Sequence, residues 1–178
     1  MLFTQKIQLN LTYEQEKLLD SQSKICNWLY NKFLEMEQTA YEMEGNYLGY
    51  FNHNRSFSAF KNEHPFLKVV HSQVLKEALR RLHKAYEKFF DDKKQGCKTG
   101  CPKFRSWKRK WMSLVYPKGA GIKLISNNRI QITFGKDAEG KQLRQLVGLG
   151  ESLKSNSFGQ VVITKDPNGN YYACFAFE

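Results

Sequence analysis

The sequence is short of several things, and each shortage excludes a class of protein. No apolar run approaches the about 18 residues that a membrane-spanning helix needs, which excludes a helical membrane protein. The opening residues, MLFTQKIQLNLTYEQ, lack the basic start, long apolar stretch and small-residue cleavage site of a secretory signal. A soluble, cytoplasmic protein is expected. The four cysteines, Cys26, Cys97, Cys101 and Cys174, follow no regular spacing. Cys97 and Cys101 have no second ligand pair after them, and His53, His64, His71 and His83 are scattered upstream. That pattern speaks against a structural zinc site and for reduced thiols. Finally, no Asp or Glu occurs anywhere between Lys93 and Lys136.

What is present fits one ordinary domain, or two small ones sharing a core. Of 178 residues, 41% are hydrophobic and 14% aromatic, enough to bury a core and to exclude wholesale disorder. The 28 Lys and Arg against 17 Asp and Glu leave a net charge of +11. Twelve of those cations lie in the acid-free stretch 93–136, which therefore carries almost the whole excess. Such a stretch cannot neutralise itself; a polyanion would do so, driven by counterion release.

Its aromatics sharpen the argument. KKQGCKTGCPKFRSWKRKW sets Phe104, Trp107 and Trp111 among Lys103, Arg105, Lys108, Arg109 and Lys110. Rings stack on unpaired bases while Lys and Arg hold phosphates. Two readings stand for the rings, base stacking or core packing. For the charges, the plain alternative is a solvated loop.

The order of elements is legible. Residues 2–11 alternate, with Phe3, Ile7, Leu9 and Leu11 on one face, predicting a half-buried strand. Thr12 and Gln15 form a capping box that opens a long helix to about Met43. Leu18, Ile25, Leu29, Phe33 and Met36 share one helical face, and Gly45 and Gly49 break the run. Arg55–Lys61 reads as a short helix and His64-Pro65 as a turn.

Ser72 then caps the clearest helix, whose Leu75, Leu79, Leu82, Tyr86 and Phe89 make a continuous stripe. Lys76, Arg80, Lys84 and Lys88 line a neighbouring face, either an ordinary wetted face or a row of phosphate contacts.

Strands follow at Ile122–Ile125 and Arg129–Phe134, joined by Ser126-Asn127-Asn128, and at Gln160–Lys165 and Asn170–Phe177 around an Asp166-Pro167-Asn168-Gly169 turn. The last strand is apolar on both faces, which calls for cover on both sides. The expected fold class is α+β: a small antiparallel β-barrel (residues 1–11 and 112–178) with a helical bundle (12–111, the basic segment at its end) inserted after the first strand.

These pieces, in this order, resemble the N-terminal half of TnpB (OrfB), the transposon-encoded RNA-guided nucleases related to type V CRISPR effectors. The matching residues are Leu11-Thr12 with Gln15; Trp28 to Leu34, like the family's "YN-x-x-L"; Ser72 to Leu82 running into Lys84 to Phe90; Gly100 to Arg105, like "G-F-P-x-F-K/R"; and Gly159 to Phe177. The resemblance implies a wedge (WED) barrel with a recognition (REC) lobe in a prokaryotic, nucleoid-associated protein. It implies binding of a guide RNA and of double-stranded DNA flanking the target. By motif position, Tyr50, Ser72, Gln73 and Lys76 would read base edges. Their plain alternative is capping and solvating the helix. Arg80, Lys84, Lys103, Arg105, Lys108, Arg109 and Lys110 would contact phosphates, and Phe104, Trp107 and Trp111 would stack on bases.

The sequence stops where the family's RuvC nuclease, with its "G-I-D-x-G" strand, should begin, and the zinc ribbon is unmatched. Two-metal cleavage needs carboxylates converging on ions about 4 Å apart, whereas Asp91-Asp92, Asp137, Glu139 and Asp166 lie at a helix end and in turns. No catalytic residue, metal or cofactor is expected in this chain; Mg2+ would come with the missing nuclease domain. Three functions are expected in descending order: a nucleic-acid-binding module of a TnpB-like protein; a stand-alone sequence-specific transcriptional regulator; and an enzyme half whose RuvC partner docks at Asn170 to Phe177.

Overall fold

The computed structural model describes residues 2–178. Strand β1 (Phe3–Asn10) leads into helix α1 (Tyr13–Glu44). The capping box holds as expected: Thr12 Oγ1 accepts from the Gln15 N–H at 3.2 Å, and Gln15 Oε1 accepts from the Thr12 N–H at 3.1 Å. Such a cap contributes about 1 kcal/mol. Gly45 ends the helix in the left-handed region, φ 67°, where only glycine is at ease. Helix α2 (Gly49–Glu63) is longer than the Arg55–Lys61 segment expected. A 3₁₀ helix (Pro65–Val69) then turns the chain into α3 (Ser72–Lys94).

Six strands follow: β2 (Leu114–Tyr116), β3 (Ile122–Ser126), β4 (Arg129–Lys136), β5 (Gln142–Leu149), β6 (Val161–Lys165) and β7 (Tyr171–Phe177). All pairings are antiparallel, in the order β2-β6-β7-β1-β5-β4-β3. The α+β class is as expected. A closed barrel is not what forms: β2 and β3 remain the two edges, so the sheet is half a barrel. β1 sits at its centre, pairing Phe3 to Gln8 with Phe177 to Tyr172 on one side and Leu9 with Leu149 on the other.

One core joins helices and strands. Leu29, Phe33 and Leu34 of α1, Leu75, Leu79 and Leu82 of α3, and Ile132, Ile163 and Phe175 of the sheet all belong to it. The expected α3 stripe is buried through Tyr86. Two expectations on buried faces need correction. In β1 Ile7 and Leu9 are buried as expected and Gln5 joins them, while Phe3 is 41% exposed and stacks on Phe177 at 4.9 Å. Gln5 is tolerated inside because its amide donates to the Ser152 carbonyl (3.0 Å) and accepts from the Lys154 N–H (3.0 Å). In α1 the buried face is centred on Leu19, Cys26, Leu29, Tyr30, Phe33 and Leu34 and includes Gln22, Ser23 and Asn27; Leu18, Ile25 and Met36 lie at its margin.

β7 is also less enclosed than its composition suggests. Tyr171, Ala173, Phe175 and Phe177 are buried, but Tyr172, Cys174 and Ala176 are only half-covered. Lys6 lies over the Tyr172 ring at 4.5 Å. Both edges of β7 are occupied, by β1 and β6, so a partner could meet only its open face.

The sheet and the turn before α3 approach closely at Gly135 of β4. A Cβ there would fall 1.9 Å from the Lys68 carbonyl oxygen, in backbone that cannot swing aside. Gly135→Ala is therefore expected to destabilise the fold by about 1–3 kcal/mol, an overpacking penalty. Gly100→Ala, where a Cβ meets open space, should stay within about 0.5 kcal/mol. Urea unfolding midpoints of the two variants check this; equal midpoints would refute the packing argument.

Candidate nucleic-acid interface

The acid-free basic segment is not a free loop. It lies along α1, held by a ladder of polar side chains one helical turn apart. Asn31 accepts from the Arg105 N–H (2.8 Å) and donates to the Arg105 carbonyl (2.8 Å), which also accepts from Asn27 (3.1 Å). Ser23 Oγ donates to the Met112 carbonyl (2.6 Å) and accepts from the Trp107 indole N–H (3.0 Å). Asp20 accepts from the Trp111 indole N–H (2.9 Å) and the Tyr171 hydroxyl (2.7 Å), with Lys165 at 3.5 Å. From α3, Arg81 reaches Ser113 Oγ at 2.8 Å. Ser, Asn and Asp are weak residues in a helix interior because they compete for the backbone. Four of them on one face, 20, 23, 27 and 31, are the signal that sequence reasoning overlooked.

This anchoring sorts the expected site residues. Lys108, Arg109 and Lys110 are exposed. With Trp107, Trp111 and Lys165 they line an open groove of about 510 Å³. Lys103 is exposed too, and Phe104 is 55% exposed, the most open of the three rings. Trp107 and Trp111 are half-buried anchors instead. Their N–H groups are spent on α1; Lys24 covers the Trp107 ring at 4.5 Å, and Tyr171 meets Trp111 edge-on at 6.0 Å. For these two rings packing prevails over free stacking. Arg105 turns inward, its guanidinium 5.8 Å from the Tyr30 ring.

The second group surrounds the start of α3. The helix is capped by His71, not by Ser72: His71 Nδ1 accepts from the Gln73 N–H at 3.1 Å. Ser72 is exposed beside a cleft of about 620 Å³ that Lys61, Lys68, His71, Gly135 and Lys136 also line. Gln73 and Lys76 are partly exposed. Burial, with the ammonium groups of Lys76 and Lys68 nearby, holds Lys61 below the usual lysine range. Lys61, Lys68 and Lys136 were missed because they are scattered in sequence and only the fold gathers them. Lys84 is exposed along α3. Arg80 is engaged within the molecule, paired with Glu77 and lying 5.4 Å from the Tyr50 ring.

The turn carboxylates have local work. Asp166 accepts from the N–H groups of Asn168 (3.0 Å) and Asn170 (2.8 Å), which hold its carboxyl below the usual range. Asp137 accepts from Glu139 and Lys141 (2.9 Å each). Among the described residues no three His, Cys, Asp or Glu side chains converge as a metal-binding group, and no helix is long and apolar enough to cross a membrane.

Two outcomes follow. Asp20→Asn keeps the shape but weakens the acceptor of three donors. It is expected to lower stability by about 1–3 kcal/mol and to shift tryptophan emission as Trp111 loosens; unchanged emission would count against the anchor. Burial keeps the His71 imidazole below its ordinary value of 6.5. A histidine kept neutral by the fold stabilises fully above 6.5 and loses that contribution as pH falls, since the unfolded chain takes up the proton first. Stability should therefore decline below pH 6.5 and level off once the folded imidazole also protonates. His71→Asn, which keeps an acceptor at the cap, should remove that portion of the slope in denaturation titrations.

Comparison with known proteins adds one likeness. No curated protein matches the chain. Residues 1–46 match the family model HTH_OrfB_IS605, described as a helix-turn-helix domain. In this chain those residues are β1 and the single unbroken helix α1, with α2 beginning just beyond them. The match supports an OrfB-type, transposon-associated N-terminal region.

Proposed function

We propose that this chain is a nucleic-acid-binding module of a TnpB-like system, which holds a guide RNA along the basic segment and reads DNA flanking the target with the start of α3. The observation that carries the reading is the acid-free stretch: eight of its twelve cations precede β2, and the part from Arg105 to Met112 is fixed to α1 so that Lys108, Arg109 and Lys110 stand in an open groove. Fixed backbone and exposed cations suit phosphate binding, because little ordering remains to be done on contact. The OrfB-type match over residues 1–46 supports the DNA side of the reading. Ser72, Gln73 and Lys76 beside the lysine-lined cleft are the base-edge candidates, with Lys61, Lys68 and Lys136 steadying the backbone.

In this reading the chain binds and does not cut. A RuvC-type partner domain, bringing Mg2+, would meet the open face of β7 at Tyr172, Cys174 and Ala176. A stand-alone regulator draws on the same helix-turn-helix description. Selection of one duplex sequence by an RNA-free sample would favour it, whereas a single structured RNA copurifying with the chain favours the guide-binding module.

Lys108→Ala with Arg109→Ala is expected to weaken binding to every nucleic acid and to flatten the salt dependence by roughly two phosphate contacts. Gln73→Ala should instead relax sequence choice while leaving the salt slope alone. Fluorescence anisotropy across a salt series reads both, and an unaltered slope in the double variant would remove the basic segment from the interface.

A further inference from the structure

We infer that the aromatic cavity between the far ends of α1 and α3 receives one unstacked nucleobase of a bound single strand, an inference that rests on the nucleic-acid reading above. Tyr47, Tyr86, Phe89 and Phe90 wall an enclosed space of about 140 Å³. These rings pack directly against one another, Tyr47 to Tyr86 at 5.0 Å and 41° and Tyr47 to Phe90 at 5.2 Å and 75°, so they form one wall for a base to lie against and not a slot between two rings. The Tyr47 hydroxyl is fixed on His83 Nδ1 at 2.7 Å, so this wall is built before any ligand arrives. Glu37 also lines the space, but its carboxylate is already committed. It accepts from the N–H groups of Leu48 (3.0 Å) and Gly49 (2.9 Å) and meets His53 Nε2 at 3.0 Å.

The occupant follows from the rim. Lys93 and Cys101 stand there, with the Lys93 ammonium 5.6 Å from the Phe89 ring. Lys93 is the first cation of the acid-free segment. A planar ring tethered to a phosphate satisfies both features: the aromatic walls take the base and Lys93 takes the charge. A cationic ligand would meet Lys93 at the entrance. A purely apolar side chain of a protein partner would make no use of that cation. The cavity also lies where the basic segment leaves α3, so a strand tracking the segment passes its mouth.

The test uses the intact chain with three labelled probes: single-stranded oligouridine, single-stranded oligothymidine and a blunt duplex. Phe89→Ala and Phe90→Leu should each weaken single-strand binding about tenfold, the scale of one stacked base, with duplex affinity unchanged. Whichever single strand shows the loss identifies RNA or DNA as its source. Undiminished single-strand binding by both variants overturns the cavity while leaving the basic groove intact; failure of the wild-type chain to bind any probe overturns the cavity and the groove together. To separate loss of the site from unfolding of a variant, oligouridine carrying one 4-thiouridine is photocrosslinked to the wild-type chain. Crosslinks at Tyr47 or within residues 86–101 support the proposal, and crosslinks wholly elsewhere overturn it.

Discussion

The structure depends on the polar ladder that Asp20, Ser23, Asn27 and Asn31 present along α1. A segment crowded with like charges repels itself and has little reason to fold back on its own. Its peptide groups still need partners when they approach a core. The ladder supplies them: Arg105 and Met112 are held through their backbones, Trp107 and Trp111 through their indole N–H groups. With the backbone and the rings tied down, the lysines and arginines between them point outward because nothing inside would accept them. Two acidic residues lie among these cations: Asp20, in contact with Lys165, and Asp166, which lines the groove beside Lys108, Arg109 and Lys110.

The second constraint is topological. β1 lies between β5 and β7, so the first residues of the chain are closed over by its last strands. All three helices and the part of the basic stretch from Lys93 to Lys110 are thereby confined between β1 and β2, and both α1 and α3 reach the sheet through one core. The tight approach of Gly135 to the Lys68 carbonyl fixes how β4 meets the turn before α3. That approach brings Lys136 next to Lys61 and Lys68. Cations far apart in sequence become one cluster only through this contact.

Local signals were read correctly wherever a short stretch decides its own conformation. The Thr12–Gln15 box, the α3 stripe and the Asp166-Pro167-Asn168-Gly169 turn needed only near neighbours. Readings failed where a distant partner decides. β2 is three residues long and exists because Leu114, Val115 and Tyr116 pair with Ile163, Val162 and Val161. β5 lacks clean alternation, with Leu146 exposed beside the buried Val147, and is a strand because β4 and β1 flank it. Gln5 is buried and Phe3 exposed because the loop after β5 brings polar partners to the former. One local expectation fails as well: the cap of α3 is His71 and not its neighbour Ser72, because the imidazole nitrogen reaches the Gln73 N–H two residues on.

By itself the sequence determined the α+β class, the position of each long helix and the concentration of positive charge in one acid-free stretch. These are properties of composition and of periods of two or three to four residues, which survive without knowledge of distant contacts. Which of those charges are free depends on long-range contacts. Lys108, Arg109 and Lys110 stand open, Arg105 turns inward over Tyr30, and Arg80 is taken up by Glu77. Long-range contacts also make Trp107 and Trp111 anchors and bring five separated aromatics, Tyr41, Tyr47, Tyr86, Phe89 and Phe90, to one cavity. The reason is physical: whether a charged or aromatic side chain meets water or protein depends on what arrives from elsewhere in the chain, and no local pattern encodes that.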